Sequence, residues 1–171
     1  MIGRVQVYTG NGKGKTTAAV GLAVRAAGAG WRVYFGQFLK RGASSELRVL
    51  RRLRGRVTVA AFGTGRFVKG RPSAAAVAAA RRGWNTLRRA LASGAYALVV
   101  ADEINVACAL GLLSENDLLA LLDARPPHVE LVFTGRGAPR RVRRRADLLT
   151  DMRAVRHYYR AGVAARQGIE F

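Results

Sequence analysis

Residues 9–17 read Thr-Gly-Asn-Gly-Lys-Gly-Lys-Thr-Thr, directly after an alternating apolar run that contains Val5 and Val7. Alternation of period two marks a strand, and a helical pattern resumes at Thr16. A strand must therefore run into a tight glycine-rich loop that opens a helix, which few folds accommodate. Gly10, Gly12 and Gly14 lack a Cβ, so the backbone can curl and bring its N–H groups close to phosphate oxygens. Lys15 can reach the outer phosphates as a mobile point charge, and the Thr16 hydroxyl can bind Mg²⁺. The helix start adds unpaired N–H groups and a positive dipole end. The ligand implied is the triphosphate of a nucleotide.

The general pattern G-x-x-x-x-G-K-[ST] places a glycine at position 9, where this chain has Thr9. Either the loop is one residue short, counted from Gly10, or it begins with threonine. The alternative to a phosphate loop is a merely flexible glycine-rich turn, which does not account for Gly-Lys-Thr-Thr at a strand-to-helix junction.

Short apolar runs then alternate with helical patterns. Strands are expected over 4–8, 32–38, 57–62, 96–101 and 129–133, and helices over 16–27, 46–53, 73–92 with Ser73 as N-cap, 114–123 and 138–146. Ser114-Glu-Asn-Asp117 reads as a capping box with Asp in place of Glu. Residues 147–152 read as a short strand or loop, and the segment from His157 to Phe171 has no clear pattern. The expected fold is α/β and P-loop NTPase-like: a mostly parallel sheet with helices on both faces, in one domain over residues 1–171. Ligands of such sheets sit at the carboxyl ends of the strands. The loop at 9–15, the segment 37–46, the pair 102–103 and the segment 134–139 all follow strands and are expected to converge on one edge.

Between Met1 and Ala101 the one acidic residue is Glu46; then Asp102 and Glu103 come together after a continuously apolar strand. Mg²⁺ takes one or two carboxylates plus phosphate oxygens and water. Neighbouring strand residues point to opposite faces, so one acid is expected to face the metal while the other orients its surroundings; the bland alternative is a strand-end turn with solvated acids. Arg136, in Thr134-Gly-Arg136, is placed to balance charge on a leaving group, although an ordinary exposed arginine reads equally well. Gln37 and Lys40 are well placed but individually weak signals.

Charge bears on the partner. The 171 residues carry 30 Lys and Arg against 10 Asp and Glu, a net charge of +20. Arginines are spread over most of the chain. The densest cluster (Arg140, Arg141, Arg143, Arg144 and Arg145) has no interleaved aromatics, so a solvated helix face is preferred to a nucleic-acid surface. Of the lysines, Lys13, Lys15 and Lys40 all fall where an α/β protein holds its nucleotide. Cys108 is the only cysteine, is expected in the core and has no internal disulfide partner. No apolar run spans a membrane, no signal peptide is seen and a cytoplasmic protein is the simplest expectation.

Several segments, in order along nearly the whole chain, together resemble the corrinoid adenosyltransferases of the P-loop class. They are Thr9–Thr17, Gln37-Phe38-Leu39-Lys40-Arg41-Gly42 with Glu46, Asp102-Glu103, Arg125-Pro126, Thr134-Gly-Arg136, Ala146-Asp147-Leu148-Leu149-Thr150 with Met152, and His157 with Gln167-Gly-Ile-Glu170. The shortened phosphate loop is a trait of that family. The resemblance implies transfer of the 5′-deoxyadenosyl group of ATP to the Co(I) centre of a reduced corrinoid, either cob(I)yrinic acid a,c-diamide or cob(I)alamin, with release of triphosphate. It implies that Gly10, Asn11, Gly12, Lys13, Gly14, Lys15, Thr16 and Thr17 bind the triphosphate. Thr16 and Glu103 would hold Mg²⁺ with Asp102 nearby, and Lys15 and Arg136 would act on the leaving group. ATP would be co-substrate and the corrinoid acceptor, with a reduced flavoprotein as electron donor and a homodimer as assembly.

On the corrin side, many relatives carry Gly-Glu-Gly-Phe-Thr-Trp where this chain has Phe62-Gly-Thr-Gly-Arg-Phe-Val68. Phe67 takes the aromatic role, while Arg66 and Val68 depart from the pattern; Trp84, within a helix, is expected in the core. Two other readings compete. A nucleic-acid-binding P-loop ATPase is favoured by the charge and predicts salt-dependent, nucleic-acid-stimulated hydrolysis. A small-molecule kinase on the same scaffold would release ADP.

Overall fold

A strand buried on both faces needs apolar residues on both faces, and the β-rich runs of this chain supply them. The computed structural model describes residues 2–40, 44–65 and 70–170. Along the chain it forms β1 (Val5–Thr9), α1 (Lys15–Gly28), β2 (Val33–Phe38), α2 (Ser45–Arg52), β3 (Val57–Phe62), α3 (Ala74–Ala92) and β4 (Leu98–Asp102). Then come α4 (Ile104–Ala109), α5 (Glu115–Asp123), β5 (Glu130–Thr134), α6 (Arg140–Arg144), β6 (Leu148–Asp151) and a 3₁₀ turn, Tyr158–Ala161. The strands form one sheet in the order β3-β2-β4-β5-β1-β6, with every pairing parallel. The expected α/β architecture is thus present, with an entirely parallel sheet.

Side chains alternate across the sheet and divide the core in two. Leu98 and Val100 of β4 pack with Val33, Phe35 and Val132 beneath Ala19, Ala23 and Ala26 of α1 and Leu47 and Leu50 of α2. Val99 and Ala101 pack with Tyr34, Leu131 and Phe133 beneath Ala80, Leu87 and Leu91 of α3, Leu118 and Leu121 of α5 and Val142 of α6. Each fully buried Val, Leu or Phe side chain here contributes about 1.5–3 kcal/mol relative to exposure, and each alanine less.

Local signals end the helices as read. Ser73 accepts from the Ala76 N–H at the start of α3. Ser114 and Asp117 form the reciprocal capping box of α5. Trp84 is half-buried against the core, its Nε1 donating to the Asp117 carbonyl at 2.7 Å. Residues 104–109, for which the sequence suggests no element, form α4; six residues are too few to display a 3.6-residue period. Cys108, on that helix, is half-buried at the rim of the core, and burial raises its thiol pKa. No helix among the described residues is long and apolar enough to cross a membrane.

Candidate functional site

Because all strands run parallel, their carboxyl ends share one edge, and the described residues of the four expected segments meet there; residues 41–43 of the segment 37–46 lie outside the described residues. β1 runs out into the glycine loop. Gly10 has φ 93°, and a Cβ on it would lie 2.3 Å from Asp151 Oδ1. Gly14, φ 116°, caps α1 in the left-handed region that glycine tolerates. The loop is braced from behind by β6 and the residues after it: Met152 N donates to the Thr9 carbonyl at 2.9 Å, and Gly12 N donates to the Met152 carbonyl at 2.6 Å.

Lys15 opens α1 and is buried, its Nζ donating to the carbonyls of Gly10 at 2.8 Å and Gly12 at 2.5 Å. The ammonium thus lies inside the curl of the loop. Burial lowers its pKa, as does the positive charge of Arg136, while Glu103 and Asp151 oppose the shift. Thr16 is half-buried; Asn11, Lys13 and Thr17 are exposed.

The second half of the site centres on Asp102, the last residue of β4 and fully buried. Its Oδ1 accepts from Thr16 Oγ1 at 3.0 Å and Thr134 Oγ1 at 2.7 Å, and its Oδ2 from Gln37 Nε2 at 2.8 Å. Three strands and the phosphate loop are therefore tied together through one carboxylate. Glu103 does not continue the strand. At φ 61° it turns the chain into α4, so the alternate-face argument does not apply to it. Its N–H donates to Thr134 Oγ1 at 2.9 Å. Burial raises its carboxyl pKa and so does the charge of Asp102, with Lys40, Lys15 and Arg136 pulling the other way. Arg136 is exposed on the turn after β5, where its charge reaches both Lys15 and Glu103.

The donors here suit a hard cation: the Thr16 hydroxyl and the carboxylates of Asp102 and Glu103 offer oxygen alone. Among the described residues no group of three or more His, Cys, Asp or Glu side chains is placed to hold a metal. A cation at this edge would complete its shell with phosphate oxygens and water, as Mg²⁺ does with nucleotides.

The family model for ATP:corrinoid adenosyltransferase BtuR/CobO/CobP matches residues 2–171. The chain belongs to the ATP:corrinoid adenosyltransferase family. Adenosyltransferases of this family with measurable likeness include the corrinoid adenosyltransferase of Pseudomonas aeruginosa, 37% identical over 170 residues, with 99% of this chain and 84% of that protein covered. Corrinoid adenosyltransferase CobA of Salmonella typhimurium is 37% identical over 169 residues, covering 99% and 86%. The corrinoid adenosyltransferase of Sinorhizobium sp is 31% identical over 172 residues, covering 99% and 80%. Among solved structures, the RadB recombinase overlays with a TM-score of 0.44 at 21% identity, covering 79% of this chain and 63% of that one.

Sequence reading undervalued three features of this adenosyltransferase fold. Gln37 is fully buried on Asp102. Asn105 of α4 is fully buried as well, and its Nδ2 donates at 3.4 Å to the Gly135 carbonyl, holding the turn that carries Arg136. The ending has a structural partner in the loop itself. Lys13 Nζ donates to Tyr158 Oη and Glu170 Oε1, each at 2.9 Å, and Glu170 also accepts from Tyr158 and Arg166. Arg166, Tyr158 and Lys13 together hold the Glu170 carboxyl well below its ordinary range. A lysine in a phosphate loop and a C-terminal Glu give no sign of pairing across so long a stretch of chain. Of the arginine cluster, Arg141 bonds Asn116 and Arg145 bonds Asp123, both on α5, while Arg140, Arg143 and Arg144 are exposed. Phe67, the candidate corrin contact, lies outside the described residues.

Proposed function

We propose that this chain, as one domain over residues 1–171, transfers the 5′-deoxyadenosyl group of ATP to the Co(I) centre of a reduced corrinoid. The acceptor is cob(I)yrinic acid a,c-diamide or cob(I)alamin, and the leaving group is inorganic triphosphate. The observation that carries the reading is the junction of the phosphate loop with Asp102 through Thr16, in a chain of this family. The cobalt electron pair attacks C5′, a Co–C bond forms, and the C5′–O bond breaks with its electrons leaving on triphosphate. Negative charge thus grows at the triphosphate, and preorganised donors there stabilise it.

In this reading the N–H groups of residues 10–17 cradle the triphosphate, and Lys15 exchanges its loop carbonyls for phosphate oxygens. Arg136 covers the outer side. Thr16, Asp102 and Glu103 would hold Mg²⁺, whose charge would further offset that of the triphosphate. No proton leaves the nucleophile, so no general base is required. A reduced flavoprotein would supply the electron that makes Co(I), the active assembly would be a homodimer and the setting cytoplasmic.

The test is anaerobic incubation with Mg·ATP and chemically reduced corrinoid. Equimolar adenosylcorrinoid and triphosphate are expected. Release of ADP would replace the reading with a kinase, and phosphate release stimulated by nucleic acid would replace it with an ATPase.

A further inference from the structure

A glutamine in the middle of a sheet is costly unless each of its polar atoms is paired. All six residues of β2 are buried, and Gln37, fully enclosed, is the one that carries a side-chain amide. It stands opposite Asp102 in the parallel register of β2 and β4. Its Nε2 donates to Asp102 Oδ2 at 2.8 Å and to Glu46 Oε1 at 3.1 Å, and its Oε1 accepts from Ser44 Oγ at 3.2 Å. Glu46 also accepts from Lys40 Nζ at 3.2 Å. Ionised carboxylates accept only, so the amide must face them with its NH₂ group. Gln37 therefore has both polar atoms paired, one of them to the fully buried carboxylate beside the loop, which points to a role beyond packing.

The donor directions around Asp102 then follow one by one. Thr134 Oγ1 accepts from the Glu103 N–H, so its own proton goes to Asp102 Oδ1. Gln37 occupies Oδ2 with a group that cannot reverse its role. Asp102 is thereby held as an acceptor whose Oδ1 faces Thr16, and the Thr16 proton is directed at it. The Thr16 oxygen is left with its lone pairs directed away from the carboxylate, as a cation ligand requires.

We propose that Gln37 is a positioning residue for the cation and triphosphate end of the site, orienting Asp102 toward Thr16 and tying both to the β2–α2 segment through Ser44 and Glu46. The inference rests on the nucleotide-binding reading above. Gln37 is in this reading the hydrogen-bond partner of a cation ligand, and loss of such partners commonly weakens metal binding about 10- to 100-fold.

The test compares wild type, Gln37→Met and Ser44→Ala. Ser44 makes no side-chain capping bond to α2, so its removal perturbs Gln37 with little cost to the helix. Binding of a fluorescent ATP analogue is titrated with Mg²⁺, and repeated in EDTA, on protein whose melting is cooperative. For Gln37→Met the Mg²⁺ half-saturation concentration is expected to rise about 10- to 100-fold, with affinity in EDTA changed less than about threefold. Ser44→Ala should shift it in the same direction by less, and decides the matter if Gln37→Met does not fold. Unchanged Mg²⁺ half-saturation, or equal losses with and without Mg²⁺, would overturn the positioning role while the nucleotide reading stands. Wild-type protein that binds the analogue with no Mg²⁺ dependence would likewise overturn the positioning role alone, and wild-type protein that binds no analogue with or without Mg²⁺ would overturn both.

Discussion

Lys15 and Asp102 show how single side chains carry the site. Among the described residues Lys15 bonds only the carbonyls of Gly10 and Gly12, so in the proposed reading its charge is available to an arriving phosphate. Lys15→Ala should lower kcat/KM for ATP by about 10²–10³, the usual cost of one preorganised donor to a developing anion, while leaving the melting temperature near wild type. Retained turnover would show that the loop is wrongly assigned. Gly10→Ala should be worse for the protein as a whole. Its Cβ would meet Asp151 and Met152 at 2.3 and 2.5 Å with φ at 93°, so both the loop and the strand end must shift. A lower denaturation midpoint and lost nucleotide binding are expected together; a wild-type midpoint would contradict the packing described.

The elements differ in how they are secured. The capping box of α5 is local, and Ser114→Ala should destabilise by about 1 kcal/mol in chemical denaturation without changing activity. The C-terminal segment is held by charge instead. Its carboxyl, Glu170, has a folded pKa depressed from 4.5, so its contribution is present in full above that unfolded value and is lost progressively as the pH falls from there through the folded one. Lys13 is raised from 10.5 through its bonds to Tyr158 and Glu170, so its share persists below that value. Amide exchange over 158–170, corrected for intrinsic rate, should therefore be as slow at pH 6 as at pH 7. It should quicken at pH 7 in Glu170→Gln. Faster exchange of wild type at pH 6 would show that the clasp on Lys13 does not hold.

Across the whole molecule, the net charge of +20 sets a field into which the anionic ATP must diffuse. Raising ionic strength should lower kcat/KM for ATP more than it lowers kcat, since exposed charges are screened within about a Debye length. A kcat/KM independent of salt would show that the arginines do not steer the substrate. The fold that carries this charge was readable in outline because its signals are local. Alternating or continuous apolar runs named the strands, Ser73 and Ser114 named helix starts, and strand–helix alternation implied parallel pairing. Boundaries moved by one or two residues, as at β4, where Asp102 belongs to the strand and Tyr96 does not. α4 was missed because it is short and buried.

Local chemistry made the phosphate loop legible: Gly-Lys-Thr-Thr after a strand requires no distant partner to be understood. Family membership was equally open, since its motifs lie along the chain in order. Tertiary structure decided what those motifs do to one another. Asp102 rather than Glu103 takes the Thr16 hydroxyl, because Asp102 ends the strand beside the loop while Glu103 has already turned into α4. Gln37 meets Asp102 because β4 lies between β2 and β5 in the sheet, an order that periodicity does not encode. Lys13 meets Glu170 because the chain beyond β6 passes behind the loop. Contacts within a few residues are fixed by propensity and spacing; these join residues far apart in sequence and exist only once the sheet has assembled.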